Sequence, residues 1–256
     1  MPAQGMRLTS ESIVAKLPTL TQVADVHATF DLVVEQLETA HACMRCMDGC
    51  SQCCHQLPQV PLCDWQVVLD YMHTHWTREQ RCALVARTQR QARKGGVWAQ
   101  LASIRTGGQT LEDLWQRLTD VQTHAQPACP LLRDGRCTVY PARPSTCRAY
   151  GRTQFSNGEP FWCGIIERQV DDALAAGSAA PSAPRLEPFM LRARQLSTPD
   201  QAAVAPIPLL ILKHALPDGD LAPQALPFDD DDYLHFPIDL EAIQRVNFQG
   251  TRTASR

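Results

Sequence analysis

No stretch of this chain is apolar for long enough to cross a bilayer. The longest, residues 207–212, holds a proline and falls far short of the ~20 residues a spanning helix needs, so no membrane partner is expected. The first ten residues are polar and lack the apolar centre of a signal peptide, which makes the reducing cytosol the expected compartment. The net charge of -3 is too balanced for a broad attraction to nucleic acid or anionic lipid. A phosphate loop, a dinucleotide fingerprint, a nucleophile elbow and a His-Glu-x-x-His helix are all missing, so no common enzyme class announces itself. There is no internal repeat.

What is present is cysteine, eleven in 256 residues. Cys43, Cys46, Cys50, Cys53 and Cys54 read Cys-x2-Cys-x3-Cys-x2-Cys-Cys, and Cys129, Cys137, Cys147 and Cys163 return at wider intervals. Small secreted scaffolds use disulfides because their cores are too small, but a chain 44% hydrophobic at this length has no such need. Adjacent residues such as Cys53 and Cys54 also rarely present disulfide geometry to each other. Dense thiolates are explained most simply by a thiophilic metal.

Cys-x2-Cys and Cys-x3-Cys steps let two sulfurs face one ion across a tight turn. The most economical ligand set is Cys46, Cys50, Cys53 and Cys54 with Cys129, Cys137, Cys147 and Cys163. Eight thiolates suit two mononuclear sites or an iron–sulfur cluster with thiols to spare. Zinc and iron both accept four thiolates, so the metal is read as either. A tetrathiolate site is anionic and needs nearby cations or N–H groups; Arg136, Arg143, Arg148 and Arg152 lie close, Arg148 foremost. Outside the clusters, Cys82 reads as a small core residue, Cys63 as packing or an accessory ligand, and His55 as too close to Cys54 to share its ion.

The fold is expected to be mainly α, with helices around an irregular, cysteine-rich, metal-organised core and at most a small β-hairpin. Val23, Val26, Phe30, Val33, Leu37 and Ala40 line one face of a helix over 20–42. Asp64 is placed to cap a helix through Val67, Val68, Tyr71 and Met72. A further helix spans 77–94 and stops at Gly95-Gly96. Thr110 and Asp113 form a capping box for another, which Pro127 ends. Asp134-Gly135 between Leu131-Leu132 and residues 137–140 predicts a type I′ hairpin that brings Cys129 and Cys137 to one end. A short helix is expected over 165–176. Residues 177–184 are only Gly, Ser, Ala and Pro and read as a linker, dividing a cysteine-cluster domain at 1–176 from a proline-rich, cysteine-free extension at 177–256. The acidic run 229–232 reads as a solvated turn.

Residues 46–54, with Cys129-Pro130-Leu131-Leu132, residues 135–140 and Arg143-Pro144-Ser145-Thr146-Cys147-Arg148, resemble the YkgJ-type cysteine-cluster family, the CxxCxxCC zinc- or iron-chelating domain, over roughly 43–167. The resemblance implies that these cysteines are metal ligands. Cys46 departs from the pattern by three intervening residues before Cys50, leaving Cys43 as the alternative first ligand. Flagellin lysine methylases resemble the same family.

Three functions compete. The chain is a metal-binding protein with a structural or metal-handling role, or an iron–sulfur enzyme modifying a protein, by family analogy, or a zinc module binding nucleic acid through the basic helix at 77–94. That helix carries Arg78, Arg81, Arg87, Arg90, Arg93 and Lys94 but no interleaved aromatics, which favours a solvated face over a nucleic-acid platform. The partner expected is the metal ion; a protein partner is open.

Overall fold

Periodic apolar residues, two capping boxes and a glycine turn account for most of the elements in the computed structural model. It describes residues 10–47, 49–94, 96–125, 128–154, 158–198, 201, 203–229 and 231–237. Gly95, Pro127 and Asp230, expected at a helix stop, a helix end and an acidic turn, lie outside them. The molecule is mainly α. Helices run α1 Ser10–Val14, α2 Val23–Ala40, α3 Leu62–His75, α4 Arg78–Arg93, α5 Val97–Ser103, α6 Leu111–Ala125, α7 Ser145–Ala149, α8 Gly164–Ala175, α9 Glu187–Leu196 and α10 Ile207–Lys213. Strands are short: β1 Gln59–Pro61, β2 Leu132–Arg133, β3 Arg136–Cys137, β4 Thr153–Gln154, β5 Pro160–Phe161, β6 Ala203–Pro206 and β7 Phe236–Pro237. To the expected hairpin, β2–β3, the structure adds an antiparallel β4–β5 pair and an antiparallel β1–β6–β7 sheet.

The chain forms two compact units, each built from two separate stretches. One joins residues 1–45 to 151–196, the other 46–150 to 197–256. In the first unit α2 buries Val26, Phe30, Val33, Val34 and Leu37, the face its periodicity predicts. Phe30 meets Phe189 of α9 edge-on, with ring centroids 4.9 Å apart. Arg152 pairs with Glu38 at 2.6 Å.

In the second unit, Trp65, Leu69 and Met72 of α3 pack with Leu84 and Val85 of α4 and with Ile207, Leu210 and Ile211 of α10. The α4 capping box is present, Gln80 N–H donating to Thr77 Oγ1 at 3.3 Å and Thr77 N–H to Gln80 Oε1 at 2.8 Å. So is the α6 box, with Asp113 N–H donating to Thr110 Oγ1 at 3.2 Å. Asp64, however, is not the cap of α3. The helix starts three residues earlier than such a cap would set it, because Pro61 supplies a fixed, extended N-cap, and Asp64 turns inward, fully buried. In the acidic run, Asp229 and Asp231 are exposed, whereas Asp232 pairs with Lys213 at 2.5 Å.

His214, at the end of α10, is fully buried against Trp65. Its Nδ1 donates to Leu210 O at 2.6 Å while Nε2 accepts the Leu226 N–H at 2.8 Å, which selects the neutral Nδ1–H tautomer. Burial depresses its pKa to about 4, so the unfolded chain binds the extra proton first. The stabilisation is complete above the ordinary histidine value of ~6.5 and is lost as pH falls from there towards 4, about 3 kcal/mol in all. Denaturant titration of wild type and His214→Asn should show this loss only in the wild type; equal pH slopes would refute the assignment.

Candidate metal centre

The early cysteines sit on a tight, irregular stretch. Gly49 takes φ +77°, and a 3₁₀ turn over Gln52–His55 carries Cys53 and Cys54, with the Cys54 N–H donating to Ser51 O at 2.9 Å. Just beyond, Leu57 has φ +44°, an uncommon conformation for a bulky residue that costs about 1–3 kcal/mol. Burial of its side chain and a 2.9 Å bond from Gln59 Nε2 to Leu57 O hold it there. The chain then enters β1, whose pairing with β6 anchors this end of the turn.

The later cysteines come from the hairpin and the loop after it. Asp134 and Gly135 take φ +51° and +75°, as a type I′ turn demands, and Leu132 pairs with Cys137. Leu132 N–H donates to Cys129 O at 2.9 Å, so Cys129 and Cys137 do share one end of the ribbon. Next, α7 presents Cys147 on a single helical turn. Its neighbour Arg148 is 3% exposed and donates to the carbonyls of Arg143 and Pro141, both at 2.6 Å. Arg143 lies over the Tyr140 ring, 3.7 Å from its centroid.

The two stretches meet. Cys129 N–H donates to Cys54 O at 2.7 Å, and the hairpin turn approaches Gly49. Cys54, Cys129, Cys137 and Cys147 all border the apolar core of this unit. The side-chain hydrogen bond from Cys53 pushes the Cys54 thiol far up, burial adding to it along with the charges of Cys53, Cys129 and Cys137. Burial first, then Cys137 and Cys53, raises Cys129 to about 12. Cys147 is raised well above the usual thiol by burial and by Cys53, Cys129 and Cys137. Burial also raises Cys137, with Arg143 and Arg148 pulling the other way. Five cysteines therefore share one electrostatic neighbourhood, with Arg143 and Arg148, two of the four expected arginines, beside it.

Cys46 is exposed, its Sγ 3.8 Å from Met47 O, and Cys50 is half-buried with its N–H on Met47 O at 3.0 Å. Cys163 belongs to the first unit, buried at the start of α8, where a Cβ on Gly151 would fall 3.0 Å from its sulfur. Cys43 belongs to that same unit, on a 3₁₀ turn packed against α8. Cys63 is buried beside Asp64, and Cys82 is half-buried rather than a core residue. Among the described residues no three Cys, His, Asp or Glu side chains are arranged to hold a metal ion outright. The fit test is thus one of donor chemistry: five neighbouring cysteines, one buried and four half-buried, whose thiolates a thiophilic cation would hold and neutralise.

Sequence reasoning missed Asp64, which reaches from α3 to Ser145 at the start of α7; nothing local to either residue signals that pairing. In the basic helix, Arg81 is engaged with Asp220, Arg78 with Asp218 and Arg87 with Pro130 O, while Arg78, Arg90 and Arg93 are exposed.

No curated protein and no solved structure matches the chain. Residues 45–164 match the model of the CxxCxxCC family, described as "Putative zinc- or iron-chelating domain".

Proposed function

We propose that the protein binds zinc or iron through Cys53, Cys54, Cys129, Cys137 and Cys147, and that the ion has a structural or metal-handling role. The observation that carries this reading is the direct backbone bond between Cys129 and Cys54, which sets two cysteine stretches more than seventy residues apart side by side. Cys46 and Cys50, next along the early stretch, are proposed as further ligands on their spacing, and Cys163 on the family pattern alone. The bound ion supplies a thiolate cross-link between residues 53–54 and 129–147. The chain's own part is to gather cysteines whose thiolates a cation stabilises, with Arg148 and Arg143 offsetting the resulting negative charge.

Anaerobic purification followed by metal analysis and a visible spectrum tests this. Zinc or iron at close to one ion or more per chain is expected, and Cys53→Ser or Cys147→Ser should remove most of it. Inorganic sulfide with brown colour would assign the iron to a cluster; colourless protein with zinc would assign a thiolate-held ion. Wild-type protein without either metal, even after reconstitution, would end the proposal.

A further inference from the structure

A buried carboxylate sits one contact from the thiol cluster. Asp64, on α3, is wholly buried, and a single oxygen, Oδ2, accepts both the Ser145 N–H at 2.7 Å and the Ser145 hydroxyl at 2.5 Å. Ser145 opens α7, and Cys147 follows two residues later. A helix of five residues does not hold itself, because nucleation costs more than one turn of hydrogen bonds returns. Its N-terminal cap, Pro144, offers no side-chain bond, so the remote carboxylate takes that place and also opposes the positive end of the turn. At the other end Arg148 ties the turn to Pro141 and Arg143. The register of α7, and with it the direction of the Cys147 sulfur, is therefore set from both sides by groups outside the helix.

We infer that Asp64 is a positioning residue for the metal centre: it fixes α7 so that Cys147 is presented to the ion alongside Cys53, Cys129 and Cys137. The inference rests on the metal reading above. Removing the carboxylate leaves two buried donors of Ser145 without an acceptor, and the turn relaxes. The ion then loses one sulfur while the rest of the site remains. Because one oxygen makes both bonds, an asparagine carbonyl can replace it.

The test is anaerobic cobalt(II) titration of the full chain, reading affinity and the sulfur-to-cobalt absorption per ion, with a thermal melt of the metal-free protein beside it. Asp64→Ala is expected to bind about 10–100-fold more weakly and to lose one thiolate's share of the absorption. Asp64→Asn should stay within about threefold of wild type on both, since the acceptor survives. Adding Cys147→Ser to Asp64→Ala should cost nothing further, because the two changes remove the same ligand. If Asp64→Ala does not fold, Ser145→Ala, which deletes one of the two bonds, should still weaken cobalt about threefold. Cobalt uptake by wild type with unchanged affinity and absorption in Asp64→Ala or Ser145→Ala would overturn the positioning role alone, whatever the melts show. No uptake by wild type would overturn the metal reading and this inference with it.

Discussion

Withdrawing the proposed ion is expected to lower the melting temperature by roughly 8–16 °C without unfolding the protein at room temperature. An ion present at about a thousand times its dissociation constant adds about 4 kcal/mol to the folded state. In a domain of this size each kcal/mol is worth about 2–4 °C. The metal-free protein stays folded because the two stretches are already joined, Cys129 N–H to Cys54 O and β1 to β6, and because Cys54, Cys137 and Cys147 rest on a core that Trp65, Leu69 and Ile211 complete on their own. This differs from a small zinc finger, where the ion is most of the fold. Calorimetry with and without chelator measures the shift, and Cys53→Ser should show almost none. A wild-type melt that ignores the chelator would mean that the cross-link contributes nothing to stability.

Arg81→Met is expected to be the most damaging single change away from the cysteines. Arg81 forms a two-pronged pair with Asp220, both contacts 2.8 Å, with each side chain 11% exposed, and Asp220 also accepts the Leu221 N–H at 2.8 Å. Removing one partner of such a pair strands a charge in the interior and costs about 3–5 kcal/mol, or roughly 6–20 °C. Its neighbour gives the contrast. Arg78 and Asp218 meet at 2.9 Å but are each 57% exposed, so Arg78→Ala should cost far less than Arg81→Met. Replacing Arg81 and Asp220 together by apolar residues should recover much of the loss, because no charge is then left alone. The pair also has a pH signature. Arg81 holds the Asp220 carboxyl below its usual range, so its stabilisation is full above about pH 4 and fades only as pH falls through the lowered value. Denaturant unfolding of the three variants at neutral and acid pH separates these effects.

The parts of the fold that were legible in the sequence are those whose causes are local. Val26, Phe30, Val33 and Leu37 repeat at the helical period, Thr77–Gln80 and Thr110–Asp113 cap their own helices, and Asp134-Gly135 makes its own turn. The convergence of Cys54 with Cys129 was readable because shared metal chemistry implies shared space. What stayed hidden depends on partners far along the chain. Gln59–Pro61 reads as an extended crossing between prolines until β6 supplies its backbone partners, and Asp64 reads as a cap until Ser145 is beside it. The basic helix reads as a free charged face because Asp218, Asp220 and Pro130 O, which occupy three of its arginines, lie on other segments. Composition marks a linker at 177–184, but units assembled from discontinuous stretches leave no compositional trace.

Discontinuity imposes an order on biogenesis. The strand that backs β1 and the carboxylate that answers Arg81 belong to residues 203–220, made after every cysteine of the second unit has left the ribosome. During that interval the nascent thiols are open to whatever the surroundings offer, and ion capture at this stage would staple the hairpin to the early turn before the hydrophobic interior closes over them.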